Sequence, residues 1–346
     1  MLQEKWHLNR MKKLCYDIVS QSGLDLKGIK VITEAGSGVF ALTPFIAIIA
    51  GAKEVICLTK TTKYGSVFEI EQLIKKIAVE WELAEPIVTE NRFDESLKGA
   101  DVITNLGMVR PINRSLLEWV GKDVVIPYMC EAWEVRVDDV DFKTCLELGI
   151  PVMGTDESTP LLDIFSQCGM LAVKMILDSG LEVSRNRIAI LSQDRFGTVI
   201  YEALNKSGAT VTLYSDENYC GVENVEWDAI IVAEYNSMQT ILGPMGSLDN
   251  YRLRKLLSTH PAIIQFAGHN DVSFLKQNGC LVYPDIKLES CRMSKTLADL
   301  GPKPMIMLHT AGLLVGKAMV EAKRLKLTGN SFEQYILTNS PAQIIN

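Results

Sequence analysis

The feature that most constrains this chain is a repeated alternation: short runs of almost wholly apolar, often β-branched residues, separated by stretches with helical spacing. IKVITEA, EVICLTK, EPIVTE, ADVITNLG, DVVIPYM and IPVMGTD are the runs of the first half, with helical segments ending at AGAK, over 66–82 and at NRSLLEWV. A strand that is apolar on both sides must be covered on both faces, so these runs predict a parallel sheet between helical layers. A long apolar segment follows, from about Pro160 to Ser179, and the order then starts again with RIAILS, TVIYEALNKSGA, TVTLYSD, WDAIIVAEY, PAIIQFAG and GCLVYPD. GADVITNL echoes EWDAIIVAEY and KDVVIPYM echoes HPAIIQFAG at matching places, so the chain reads as a structural duplication.

The 346 residues exceed one typical domain and suffice for two cores. The expected fold is therefore α/β: two doubly wound Rossmann-like parallel-sheet domains joined by a long helix, with the C-terminal helix crossing back. Its boundaries are a first domain over 1–158, opened by a helix carrying Trp6, Met11, Leu14, Ile18 and Val19 on one face, and an interdomain helix over 159–182. A second domain over 183–305 follows, and 306–346 returns to the first. The last helix is expected from near His309 to about Arg324, with Gly312 and Gly316 four apart to allow close packing.

Composition narrows the classes. Apolar residues at 47% and charged residues at 22% describe an ordinary globular chain. A net charge of −7 without a block of Lys or Arg argues against nucleic acid as a partner. The longest apolar run, Phe45 to Ala50, is far short of the roughly 20 residues that span a bilayer. Eight scattered cysteines without a CxxC pair, four dispersed histidines and no apolar leader segment predict a cytoplasmic protein with reduced thiols and no metal.

Two turns carry chemistry. Gly36, Ser37, Gly38, Val39, Phe40 and Ala41 fit GxGxxA directly after a strand, where backbone N–H groups can cradle phosphates; the same glycines would also serve a plain tight turn. Lys60 and Lys63 stand at the end of the second strand in place of an acid and suit a ribose phosphate. In the second half, Gly197 occupies the third glycine position and Asp216, 19 residues on, the place of a ribose-binding acid. Ser192 and Asp194 stand where the first two glycines belong, and a carboxylate there repels a pyrophosphate. Strand ends, where open α/β sheets bind ligands, offer Glu34, Asn105, Arg110, Glu131, Glu134, Asp156 and Glu157, each of which reads equally as a surface ion or a helix cap. Tyr128, Trp133 and His269 read as pocket lining or core.

The order of two halves, connecting helix and returning helix resembles the D-2-hydroxyacid dehydrogenase and formate dehydrogenase superfamily; S-adenosylhomocysteine hydrolase shares the general plan. The resemblance implies NADP or NAD as cofactor, a small-molecule substrate held between the halves, hydride transfer at a carbonyl or hydroxyl (or imine or amine), and a homodimer. It places the family's catalytic histidine at His309 in LHTAG, as acid or base, with Glu131 as a base or as the group orienting it, and Arg110 as a partner for a substrate carboxylate or phosphate. The family's arginine falls on Gly268 or His269, so a standard 2-hydroxy acid is not the expected substrate. Two other readings stay open: a lyase, hydrolase or binding protein that has lost the dinucleotide site, and an S-adenosylmethionine-dependent methyltransferase, because TEAGSG also resembles that fold's acidic, glycine-rich motif.

Overall fold

The computed structural model describes residues 2–130, 135, 136, 138–160 and 163–345. The chain opens on helix α1 (Leu2–Ser22) and continues through β1 (Lys30–Glu34), α2 (Thr43–Ile49), β2 (Glu54–Leu58), α3 (Val67–Trp81), β3 (Ile87–Thr89), β4 (Val102–Ile103), α4 (Arg114–Val120), β5 (Ile126–Tyr128), α5 (Phe142–Leu148) and β6 (Val152–Thr155). Side chains of successive strand residues point to opposite faces, and here both faces are apolar. In β1, Val31 joins the cluster containing Cys15, Phe45 and Trp81, and Ile32 joins the one containing Leu97, Leu116 and Leu117. On α1, Ile18 and Val19 are buried and Met11 and Leu14 pack against the same core, while the side chain of Trp6 lies outside the described residues.

β1 pairs in parallel with β2 and β4, β2 with β3, and β5 with β6, while a bridge between Val102 and Val125 joins the two groups. The resulting order, β3-β2-β1-β4-β5-β6, is doubly wound and reverses direction between β1 and β4.

The chain divides into two units, Met1–Ile164 with Gly301–Asn346, and Phe165–Leu300. The second holds α6 (Gln167–Asp178), β7 (Arg187–Leu191), α7 (Arg195–Lys206), β8 (Thr210–Tyr214), β9 (Ala229–Ala233), α8 (Asn250–Leu257), β10 (Ala262–Ala267), α9 (Val272–Gln277) and β11 (Val282–Tyr283). Its strands are all parallel in the order β8-β7-β9-β10-β11, reversing between β7 and β9. The helix expected from Pro160 begins at Gln167 and packs within the second unit, where Gly169 lets it lie directly on α7: a Cβ there would stand 2.4 Å from the Val199 carbonyl oxygen.

The remaining elements, α10 (Pro302–Arg324), α11 (Gly329–Asn339) and β12 (Ala342–Gln343), return to the first unit. α10 starts at Pro302, well before His309, because Pro302 and Pro304 fit a first helical turn whose N–H groups have no partners. By length and composition it could cross a membrane, but 78% of its apolar stretch is buried inside the unit, which makes it a core helix. Gly312 and Gly316 bring it onto β4 and β5, the former facing Met129 and the latter Pro127 and Val102. β12 adds an antiparallel strand beside β6.

Candidate functional site

Open α/β sheets bind ligands beyond the strand ends where the order reverses. In the first unit that point lies between β1 and β4. Two threonines cross it, with Thr33 Oγ1 and Thr104 Oγ1 3.0 Å apart, and Glu34 sits beside them, 3% exposed. Its Oε2 accepts the Met108 N–H at 3.1 Å. Burial pushes the Glu34 carboxyl up to about 7, against the pull of the Met108 N–H and the positive charges of Arg110 and Lys60. A carboxyl that changes charge near neutrality therefore stands at the head of the sheet.

The neighbouring turn is built as its sequence requires. Gly36 is buried and donates its N–H to the Phe40 carbonyl, and a Cβ at Gly36 would come within 2.8 Å of that of Phe40. Gly38 is exposed at φ +58° with open space where a side chain would be. No side chain caps the 3-10 turn Gly38–Ala41, with Ser37 half-buried before it, or the start of α2. Lys60 and Lys63 are exposed beyond β2, with Lys63 Nζ 5.0 Å from the centre of the Tyr64 ring. The Thr59 hydroxyl, buried at the end of β2, has no hydrogen-bond partner among the described residues.

Three sequence candidates are placed differently from expectation. Asn105 is 3% exposed and its Oδ1 accepts the Met129 N–H at 2.8 Å, so it ties β4 to β5. Arg110 is ion-paired with Asp139, so any anion it takes competes with that carboxylate. His309 is not at the mouth of a helix: it lies inside α10, 1% exposed, with Nδ1 2.6 Å from the Thr43 hydroxyl at the first residue of α2. Burial lowers its pKa to about 4, so it is neutral at pH 7, and its Nε2 has no partner among the described residues. Glu131, Trp133 and Glu134 lie outside the described residues. Asp156 accepts the N–H of Ser158 in a turn, and Tyr128 is fully buried with its hydroxyl oxygen accepting the Arg136 N–H.

The reversal point of the second unit also carries a buried carboxyl, and there a second one caps the helix. Asp194 caps α7 by accepting the Phe196 N–H at 3.0 Å, and Glu234, 3% exposed beyond β9, accepts the Gln193 N–H and the Tyr219 hydroxyl, both at 2.7 Å. Burial raises the pKa of both carboxyls. Gly197 is fixed by packing, since a Cβ there would stand 2.8 Å from Leu213 Cδ1 and 2.9 Å from Ser192 Cβ. Asp216 is exposed and closes its own turn by accepting the N–H groups of Asn218 and Cys220. In the sequence Glu234 shows only as an acid immediately after the apolar run DAIIVA, and Tyr219 carries no motif.

A groove of about 430 Å³ opens beside the end of β10, lined by Thr240, Met245, His269, Asp271 and Lys287 among others. The Leu288 carbonyl accepts from His269 Nδ1 at 2.8 Å, which places a proton on that nitrogen.

No family model and no curated protein matches this sequence. Among solved structures, a dipicolinate synthase chain from Bacillus subtilis is similar with a TM-score of 0.54 at 12% identity, over 87% of this chain and 99% of that one. Its counterpart from Bacillus halodurans is similar with a TM-score of 0.50 at 12% identity, over 83% of this chain and 96% of that one. At this identity the likeness speaks for the fold: two doubly wound α/β units in tandem with a returning C-terminal helix, the fold that the resemblance to the D-2-hydroxyacid dehydrogenase superfamily predicts, in a divergent sequence.

Proposed function

We propose that this protein is an NAD(P)-dependent oxidoreductase acting on a small polar substrate with a carbonyl or hydroxyl, or an imine or amine, and that the first unit holds the nucleotide. The observation that carries the reading is the turn after β1. It has the GxGxxA pattern, an exposed Gly38 and no capping side chain, and it stands at the reversal point of a doubly wound sheet.

The residues present fit the group. Ser37 and Gly38 would hold the phosphates through backbone N–H groups, Gly36 would shape the turn through its bond to the Phe40 carbonyl, and Lys60 and Lys63 would favour a 2′-phosphate, hence NADP, over a bare ribose. When bound, the nicotinamide accepts or supplies the hydride. The chain's own groups do the rest. Glu34 holds or releases a proton near neutral pH at the strand end beside the turn. His309, neutral and bonded to Thr43, fixes the start of α2 behind the turn as a positioning residue. Arg110 serves an anionic substrate group only by leaving Asp139.

The test is thermal stabilisation of the purified protein by NAD, NADP, NADH, NADPH and S-adenosylmethionine in parallel, since a ligand selective for the folded state raises the melting temperature. NADPH is expected to give the largest shift, worth ~2.7 kcal/mol at a hundredfold excess over its Kd. No shift with any nicotinamide nucleotide at millimolar concentration refutes the proposal, and a shift with S-adenosylmethionine alone replaces it with the methyltransferase reading.

A further inference from the structure

The second unit has a dinucleotide-type sheet, a 12-residue helix α7 after its first strand, and both Gly197 and Asp216 in fingerprint positions, so it is the obvious competitor for the nucleotide. We infer that its phosphate position is sealed: the three residues after β7 are bonded to the last residue of β9 and the two that follow it, so that the chain's own carboxylates occupy the place of a pyrophosphate. This inference rests on the nucleotide reading above.

The bonds run in register across the gap where the crevice should open. Ser192 Oγ donates to the Ala233 carbonyl at 2.7 Å. The Gln193 N–H donates to Glu234 Oε1 at 2.7 Å, and the Tyr235 N–H to Asp194 Oδ2 at 2.8 Å. A pyrophosphate binds such a helix by taking the N–H groups at its start. Here the Phe196 N–H is already given to Asp194 Oδ1, and the Gln193 N–H, one residue before that cap, to Glu234. The half-buried Asp194 and the buried Glu234 supply the negative charge that the helix start favours, so an added phosphate meets repulsion and no free donor among these groups.

On the ribose side, the exposed Asp216 has a use of its own in the fold: both its oxygens accept the Cys220 N–H, at 3.0 and 3.1 Å, and hold its turn. Gly197 keeps its place for a reason that needs no ligand, the direct packing of α7 on Ser192 and Leu213. Each apparent remnant of the fingerprint thus has an internal use. The first unit's reversal point is also crossed, by Thr33 with Thr104 and by Glu34 with the Met108 N–H, but there no side chain caps the glycine turn.

The experiment is a crystal of the full chain soaked with millimolar NADPH, together with titration of NADPH fluorescence against the wild type, Gly38→Asp, Asp194→Asn and Glu234→Gln. The expected result is nucleotide density against the glycine turn of the first unit and none at the start of α7. Gly38→Asp should weaken binding at least tenfold, and the two carboxamide variants should change it less than threefold. Nucleotide density at the start of α7, or a tenfold loss in Asp194→Asn or Glu234→Gln with Gly38→Asp unaffected, overturns the inference. If NADPH appears nowhere in the soaked crystal, the proposed function fails while the sealed second unit stands, so the two failures read differently. The crystal also decides should a carboxamide variant not fold.

Discussion

Replacing Glu34 with Gln isolates the energetic cost of a carboxyl at the head of the first sheet. The side chain is 3% exposed, and burial raises its pKa from the ordinary 4.5 to about 7. At ~1.4 kcal/mol per pH unit, that displacement corresponds to ~3 kcal/mol between the two protonation states. Between those pH values the folded chain holds a proton that the unfolded chain has released, so stability falls as pH rises. The contribution is fully present below pH 4.5 and lost as pH passes through about 7. Gln has nearly the same shape, stays neutral, and still offers an oxygen to the Met108 N–H. The E34Q variant should therefore match the wild type near pH 4.5 and exceed it by up to ~3 kcal/mol at pH 8. Urea unfolding of both proteins at intervals from pH 4.5 to 8 gives the difference curve, from which every other titrating group cancels. A variant less stable than the wild type at pH 8 would refute the reasoning, because Arg110 and Lys60 would then hold the ionised carboxylate more strongly than burial opposes it.

Gly169→Ala places a methyl 2.4 Å from the Val199 carbonyl oxygen and 2.8 Å from Ala203 Cβ, so α6 and α7 must separate; a loss of ~2 kcal/mol or more is expected in the urea midpoint. The ring of His309, neutral in the fold down to about pH 4, should show no NMR titration between pH 5 and 8. Because it must gain a proton on unfolding, its contribution is present above its unfolded value and lost as pH falls through about 4, so His309→Leu should narrow the stability difference between pH 7 and pH 4. Tyr219→Phe removes the hydroxyl that donates to Glu234 at 2.7 Å, and this bond favours the ionised carboxylate; the loss of ~1–2 kcal/mol should be larger at pH 8 than at pH 5 in matched urea titrations.

What the sequence made legible was the set of positions that must be apolar. β1, β2, β7, β9 and β10 lie where continuous apolar runs place them, since burial on both faces favours apolar residues at either register; the buried polar exceptions, Thr33, Glu34 and Gln265, are hydrogen-bonded. The helices Phe142–Leu148, Asn250–Leu257, Val272–Gln277 and Gly329–Asn339 left a weaker trace, being short or mostly exposed: α8, for example, buries only Leu253, Leu256 and Leu257. α10 begins seven residues before His309, at Pro302, because the first helical turn accepts Pro302 and Pro304. Site residues were harder still. The family histidine pattern led to His309, yet what that ring touches depends on Thr43, 266 residues away in the chain. Arg110 looked available as a cation until the fold brought Asp139 to it.

The two reversal points show why fold and site separate in this way. A doubly wound sheet is specified by the faces of its strands, and the residues just past the strand ends contribute little to that specification. They are free to differ, and in the two halves of this duplicated chain they do. After β1 the chain leaves a glycine turn with uncapped backbone; after β7 it places Ser192, Gln193 and Asp194, which meet Ala233, Glu234 and Tyr235 and turn a crevice into a joint. A few side chains thus decide whether the same topological position is a place for a ligand or a part of the core. Asp216 and Gly197, read alone, look like a nucleotide fingerprint; read with their partners, each is already used by the fold. A fingerprint residue counts toward a site only when its hydrogen-bonding capacity is still open; Gly36 gives its N–H to Phe40, but the turn at Ser37 and the exposed Gly38 has no side-chain cap, and there the nucleotide should be sought.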